Sequence, residues 1–286
     1  MSNLSMIFNN KSDAASLSGG SWVAALPLAN MQNTLLKKTA RSTSASLANT
    51  QFVVDLGASG IFYKTIALLS HNLETSAKIR VRCSDDAAFA TSEFDTGWID
   101  AYQYSTPTTE TMWEEPNWWD GKPAAYDLAG YSLNSIVLAD YLIDARYIKV
   151  EFDDISNAAG YIELGRLMIA PITELLVNMD YGAAVAWEDS STISESIGGV
   201  DFATIRKKKR LFSCGASYLK DAEALATVFE MQKFLGVTGE VFVMPDREDT
   251  VHGFRNSFLA RMTQLSGIEK YMYGQNKTSY SFREKL

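Results

Sequence analysis

Between Tyr102 and Tyr126 the chain interleaves Tyr104, Trp113, Trp118 and Trp119 with Glu110, Glu114, Glu115 and Asp120, and places prolines at 107, 116 and 123. Aromatic rings on a loop offer flat apolar faces for stacking on sugar rings, and neighbouring carboxylates accept hydrogen bonds from hydroxyls. Tyr104, Trp113, Trp118, Trp119, Glu114 and Asp120 therefore make a coherent candidate glycan site. The competing reading uses the same rings to cover the domain's own core or to bury against a neighbouring subunit, where Trp is also enriched. Glycosidase chemistry needs two acids facing one bond across about 5 to 9 Å. Adjacent Glu114 and Glu115 point in opposite directions in extended chain, so ordinary solvated acids are expected.

Other chemistries find little purchase. No Gly-x-Ser-x-Gly elbow occurs, and His71 and His252, the two histidines, lack a catalytic setting. His71 follows an apolar run, which suits hydrogen bonding at a strand end. Gly57-Ala-Ser-Gly60 is short and lacks lysine, so a phosphate loop is not expected there. No Cys or His pair has zinc-ligand spacing, and no cofactor is expected. Cys83 and Cys214 sit in separate strand-like runs, which implies two reduced, half-buried thiols. An enzyme is not expected.

The sharpest charge feature is Arg206-Lys207-Lys208-Lys209-Arg210, in a chain whose formal charge is -8. Basic runs are usually solvated. Five successive cations would nonetheless put charge on both faces of a sheet, so this segment should not lie over a core. A projecting hairpin arm that reaches acidic surface on a neighbouring subunit would accommodate it, with rim charges setting register and encounter rate. Residues 1 to 170 hold 12 basic against 19 acidic residues, and 171 to 286 hold 14 against 15. That balance disfavours nucleic acid for the first part, while contact of the basic run with DNA in transit through a tube ranks below the subunit contact.

The elements that must position these groups are mostly strands. With 286 residues and 47% hydrophobic content, the chain can bury two moderate cores. No apolar run reaches membrane-spanning length, and the first residues lack the basic and apolar regions of a signal peptide, so synthesis in a cytosol is expected. From 50 to 170, strands are expected at Phe52–Leu56, Phe62–Leu69, Lys78–Cys83, Ser135–Leu138, Tyr147–Phe152 and Ile162–Ile169. Strict alternation in Lys78-Ile-Arg-Val-Arg-Cys83 points Ile79, Val81 and Cys83 inward. After Pro171 the texture changes to strands at Glu174–Tyr181 and Arg206–Phe212, a turn at Gly198-Gly199, and one helix over Asp221–Leu235. Asp221 is expected to cap this helix and Gly236 to stop it, with Leu225, Val228, Phe229 and Leu235 packing on a sheet. Strands resume at Glu240–Met244, Phe254–Met262 and Ser279–Arg283, which places the domains at 1–171 and 172–286.

Trp22 ahead of Pro27-Leu-Ala-Asn-Met31, then Ala40-Arg-Ser-Thr43 before Gln51-Phe-Val-Val-Asp-Leu-Gly57, and finally Ala145-Arg-Tyr-Ile-Lys-Val150 and Glu163-Leu-Gly-Arg-Leu-Met-Ile-Ala170, form a pattern. It resembles the galactose-binding-like, or discoidin-like, jelly roll, in the form found in phage tail proteins. The resemblance covers about the first 170 residues. It departs from the family at Ala40-Arg-Ser, where many members carry an aromatic, and its lone Asn30 leaves a calcium loop open. The element order after Pro171 resembles the tail-tube-like barrel, in which a β-sandwich with one helix assembles into rings. Together these imply a mainly β structural protein of a phage tail tip or baseplate, a minor or distal tail component made in the bacterial cytoplasm and carried on the virion. Its expected partners are copies of itself in a ring of three or six, other tail proteins, and a host-surface glycan. The alternative is a carbohydrate-binding, lectin-like protein for host-surface recognition.

Overall fold

The computed structural model describes residues 2–57, 61–106, 112–115 and 118–286. It divides into two compact units, one built from the chain up to Glu174 together with Phe242–Phe258, the other from Leu175–Val241 and Leu259–Leu286. The first unit thus takes back a segment that sequence texture assigns to a domain spanning 172–286.

Two antiparallel sheets face one another in the first unit. One runs Ser16–Ser18, Phe52–Asp55, Tyr147–Asp153, Lys78–Ser84 and Phe94–Asp95, with Ile99–Asp100 also pairing on Lys78–Ser84. The other runs Ala40–Arg41, Glu163–Ala170, Phe62–His71 and Asn134–Asp144. Alternation decides which side chains meet between them. Phe52 and Val54, Ile79, Val81 and Cys83, and Ile148, Val150 and Phe152 point inward against Tyr63, Ile66, Leu68, Leu164, Leu167 and Ile169 from the facing sheet. Outward, Arg82 reaches Glu151 at 3.0 Å across the strand pair, and Arg80 pairs with Asp95. The result is the expected jelly-roll sandwich.

Glu163–Ala170 is buried on both faces, so its alternation breaks down. Its outer face carries Arg166, 1% exposed, whose guanidinium grips Asp13 with two bonds of 2.6 and 2.9 Å and also donates to the Met31 carbonyl. Asn10 completes the clasp. Its amide nitrogen donates to Asp13 and to the Leu167 carbonyl, and its oxygen accepts from the N–H of Ser12 and of Ile169. The chain thus pinned, Ser5–Ile7 lies between two antiparallel neighbours, pairing with Ile172–Glu174 on one side and with Met244, Val243 and Phe242 on the other.

In the second unit Lys209–Lys220 is the central strand, between Ala184–Glu188 and Gln275–Glu284. A bulge separates Ala216 from Leu219, and Tyr218 there adopts φ +61°. The helix occupies 221–235 and widens to a π-turn over Ala224–Phe229. Gly236, at φ +53°, stops it as expected. Several details differ from the sequence reading. Lys220 is the residue before the helix and no side chain caps it; Asp221 instead accepts a 2.8 Å bond from the Asn276 amide. The buried stripe is Ala224, Val228, Met231 and Leu235, while Leu225 and Phe229 lie one residue on, rotated by about 100° into solvent. Lastly, strand pairing stops at Glu174 and does not run on to Tyr181, because the Leu176 N–H is taken by the Glu223 carboxylate. The expected strand at Phe254–Met262 likewise begins as a helical turn, Gly253–Asn256, before Phe258–Met262 pairs.

Asp13 is 44% exposed, whereas its partner Arg166 is buried, so removing the acid strands a buried charge. Asp13→Ala should lower stability by about 3 to 5 kcal/mol, and Asp13→Ala combined with Arg166→Met should recover most of it, as read from denaturation midpoints.

Candidate functional site

The aromatic loop leaves the first sandwich through Ala101 and Tyr102, both buried. Tyr102 stacks edge-on against His71 at 5.7 Å and against Tyr104 at 6.4 Å, and Tyr104 packs on Phe254 at 5.7 Å. Phe254 also meets Tyr131 at 5.5 Å. Tyr104 therefore serves as the hinge between the loop and the 242–258 segment, and Gly253 is needed there because a Cβ would sit 2.7 Å from its ring. The Tyr104 ring is half-buried and held by neighbours.

His71 anchors the same corner. The Leu73 N–H donates to Nδ1, so Nε2 carries the proton and donates to the Ser135 hydroxyl, which passes its own hydrogen to the Ala101 carbonyl at 2.6 Å. Protonating Nδ1 would set two donors face to face. Burial accordingly depresses the His71 pKa to about 3.

Beyond this root the loop turns outward. Trp113 and Trp119 are 71% and 84% exposed, Glu114 and Asp120 are exposed beside them, and Trp118 is half-buried. The base of the loop is fixed by the Thr106 N–H on the Gly121 carbonyl and by Lys122, which donates to the Thr75 carbonyl and pairs with Asp100. Asp120 accepts the Lys122 N–H with one oxygen. Of the residues read from sequence, Pro107, Glu110 and Pro116 lie outside the described residues, as do Ala58, Ser59 and Gly60. Asn30, weighed for calcium, spends its amide on the Thr39 carbonyl. Among the described residues no group of three or more His, Cys, Asp or Glu could hold a metal ion.

The basic run divides. Arg206, Lys207 and Lys208 are exposed, Lys209 is half-buried, and Arg210 is 1% exposed with its guanidinium on the buried Glu284 carboxylate. The expectation that none of the five could lie over a core fails at Arg210, because the strand beginning at Lys209 turns alternate residues inward and Glu284 on the adjacent strand neutralises the one that enters. Upstream, Thr192–Glu195 and Asp201–Thr204 form a separate two-stranded hairpin whose strand residues are all exposed. Both thiols, Cys83 and Cys214, are buried, and burial pushes each pKa to about 12.

One site had no signal in the sequence reading. Gln103, Tyr104, Asn134, Ile136 and Leu138 line a cleft of about 220 Å³ together with Met244, Asp246–Thr250 and Ser257. Its two walls are separated by more than a hundred residues, and only the recruitment of 242–258 brings them together.

No family model matches the sequence, and no curated protein matches it. Among solved structures, CBM32-1 from a family 31 glycoside hydrolase of Clostridium perfringens matches with TM-score 0.38 at 12% identity, covering 57% of this chain and 98% of that one. The family 32 CBM from C. perfringens NanJ, solved in complex with galactose, matches with TM-score 0.36 at 16% identity, covering 59% and 99%. Chitosan-binding module 1 from a chitosanase/glucanase of Paenibacillus sp. IK-5 matches with TM-score 0.34 at 12% identity, covering 56% and 98%. By their descriptions these three are carbohydrate- or chitosan-binding modules. The phage-tail part of the resemblance has no counterpart among the three.

Two measurements check this account. The unfolded chain binds a proton at His71 near the ordinary 6.5 while the folded one does not, so stability is full above that pH and falls as pH drops from 6.5 toward about 3. The slope should reach about 1.4 kcal/mol per pH unit from this group, and His71→Gln should remove that slope in acid titrations of stability. Separately, Phe254→Ala should cost about 3 to 5 kcal/mol, while Trp113→Ala and Trp119→Ala should stay within about 0.5 kcal/mol.

Proposed function

We propose that the protein is a non-catalytic carbohydrate-binding protein whose jelly roll presents glycan to the loop carrying Trp113 and Trp119. The observation that carries this reading is the exposure of those two indoles on a loop fixed at its base, with Glu114 and Asp120 exposed alongside. Large exposed apolar rings on a pinned loop are costly unless something stacks on them, and hydroxyl-accepting carboxylates at their side favour a sugar. The galactose bound in one structural neighbour is a property of that neighbour, and it guides the choice of probes. Screening the full chain on a glycan array, followed by titration calorimetry, should find saturable binding. Trp119→Ala should weaken it by about 2 kcal/mol, roughly thirtyfold. No binding to any glycan, or undiminished binding by the Trp113→Ala, Trp119→Ala double variant, would exclude the loop.

A second reading, a phage tail-tip or baseplate component that assembles as a ring on the virion, draws on the hairpin of the second unit. Ile193, Ile197, Val200, Phe202 and Ile205 are exposed, and Glu195 lies opposite Asp201, a like-charge pair. A lone two-stranded hairpin is marginal in water, and this one adds repulsion and unburied apolar surface. Contact with another copy would cover it, with Arg206, Lys207 and Lys208 at its root facing acidic surface. Sedimentation should then show a ring of three or six chains that Phe202→Asp dissociates; a monomer at high concentration argues for the carbohydrate reading alone.

A further inference from the structure

We propose that the second unit carries a binding site of its own for a neutral hexopyranose, in a cavity on its sheet between Asp180 and Lys277. Every residue lining that cavity belongs to this unit. None belongs to the aromatic loop, so either site can fail without the other. The cavity measures about 310 Å³, at the small end of the roughly 300 to 1,000 Å³ of ligand pockets, which suits a single ring.

The bulge in Lys209–Lys220 creates the site. Ala216 and Leu219 are both fully buried, so the two residues between them, Ser217 and Tyr218, both turn to the outer face. There the Ser217 hydroxyl donates to one Asp180 oxygen at 2.7 Å, and the Asp180 N–H donates to the Gly215 carbonyl at 2.8 Å. Gly215 permits this close approach, because a Cβ would sit 2.9 Å from the carboxylate. The opposite wall is pinned twice. Gln232 of the helix donates to the Ser266 carbonyl at 2.9 Å, and the Thr278 hydroxyl donates to the Gly267 carbonyl at 3.3 Å. Ser279 donates to the Ser266 hydroxyl at 2.9 Å, which leaves Ser266 its own hydrogen for a ligand oxygen.

These groups suit a ligand that both donates and accepts. Lys277 balances its charge on Glu269 at 2.9 Å, so Asp180 leaves the cavity net negative and hostile to anions. The second Asp180 oxygen takes no bond among the described residues and can accept a hydroxyl hydrogen. An independent pointer comes from the rim. Ser217 and Glu269 line the cavity, and one and two residues beyond them stand Tyr218 and Tyr271, an edge-on pair with centroids 5.9 Å apart. The rings are 55% and 37% exposed, and such a pair offers an apolar face to a pyranose. Tyr218 holds φ +61°, a strained backbone for a bulky residue. Glycine would serve the same bulge without that strain, which leaves the exposed ring as what this position contributes.

The test follows the Tyr218 and Tyr271 ring signals by NMR while the full chain is titrated with galactose, glucose or N-acetylglucosamine. At least one of the three should shift both signals saturably, and glucuronate should bind at least about tenfold more weakly. Asp180→Asn keeps an oxygen for the Ser217 hydroxyl and should weaken the bound sugar about tenfold. Tyr218→Gly removes the ring and relieves the left-handed backbone, so Tm should hold or rise while affinity falls about tenfold. A lower Tm with unchanged affinity in that variant would make Tyr218 structural and overturn the proposal. So would silence at both tyrosines with all three sugars, equal affinity for glucuronate, or full affinity in a folded Asp180→Asn variant. Shifts confined to the tryptophan indole signals would overturn it while supporting the loop reading.

Discussion

Arg166 is a full charge placed in the interior of a sheet face, and much of the first unit is arranged to make that tolerable. A guanidinium removed from water needs a carboxylate in bidentate geometry and further acceptors. Asp13 and the Met31 carbonyl supply them. Meeting that need fixes residues 9–15 across Glu163–Ala170, which aims the preceding residues outward as Ser5–Ile7. That strand has two free edges. One is closed by the nearby Ile172–Glu174, the other by Val241–Met244 from far along the chain. The 246–250 loop follows directly from this last pairing. A cleft wall is thus positioned by a charge buried on a different face of the sandwich, through a succession of local hydrogen-bonding requirements.

Elements with one wet face were legible in the amino-acid sequence. Lys78–Ser84 and Tyr147–Asp153 alternate, and Ile79, Val81 and Cys83 point inward as the alternation demands. The helix over 221–235 and its glycine stop were also legible, because helical propensity and a left-handed glycine stop are local signals. Failures occurred where a distant partner decided the outcome. Arg166 sits in an apolar strand and signals nothing until Asp13 is placed against it. Glu223 takes the Leu176 N–H and ends a strand that apolar texture alone would continue. Leu225 and Phe229 look like core because helical period allows a broad stripe, whereas the sheet beneath accepts the narrower one.

The aromatic loop shows the same division within a single segment. Tyr102, Tyr104, Trp113 and Trp119 are equivalent as letters, yet the first two pack inward and the last two face solvent. What sorts them is Phe254, contributed by a segment about 150 residues later in the chain. The basic run behaves alike: Arg210 is absorbed by Glu284, and Arg206, Lys207 and Lys208 keep their charge at the surface. Fold class therefore emerged from periodicity, while the membership of each site depended on long-range pairing that periodicity does not encode.

The discontinuity of the first unit constrains how the molecule can be made. During synthesis its sandwich strands emerge first, but the edge of Ser5–Ile7 that awaits Val241–Met244 stays open until a further stretch of nearly seventy residues, 175–241, has left the ribosome. An unpaired edge is a template for the wrong strand. Nascent chains crowded on one messenger would expose the same edge to one another throughout that interval.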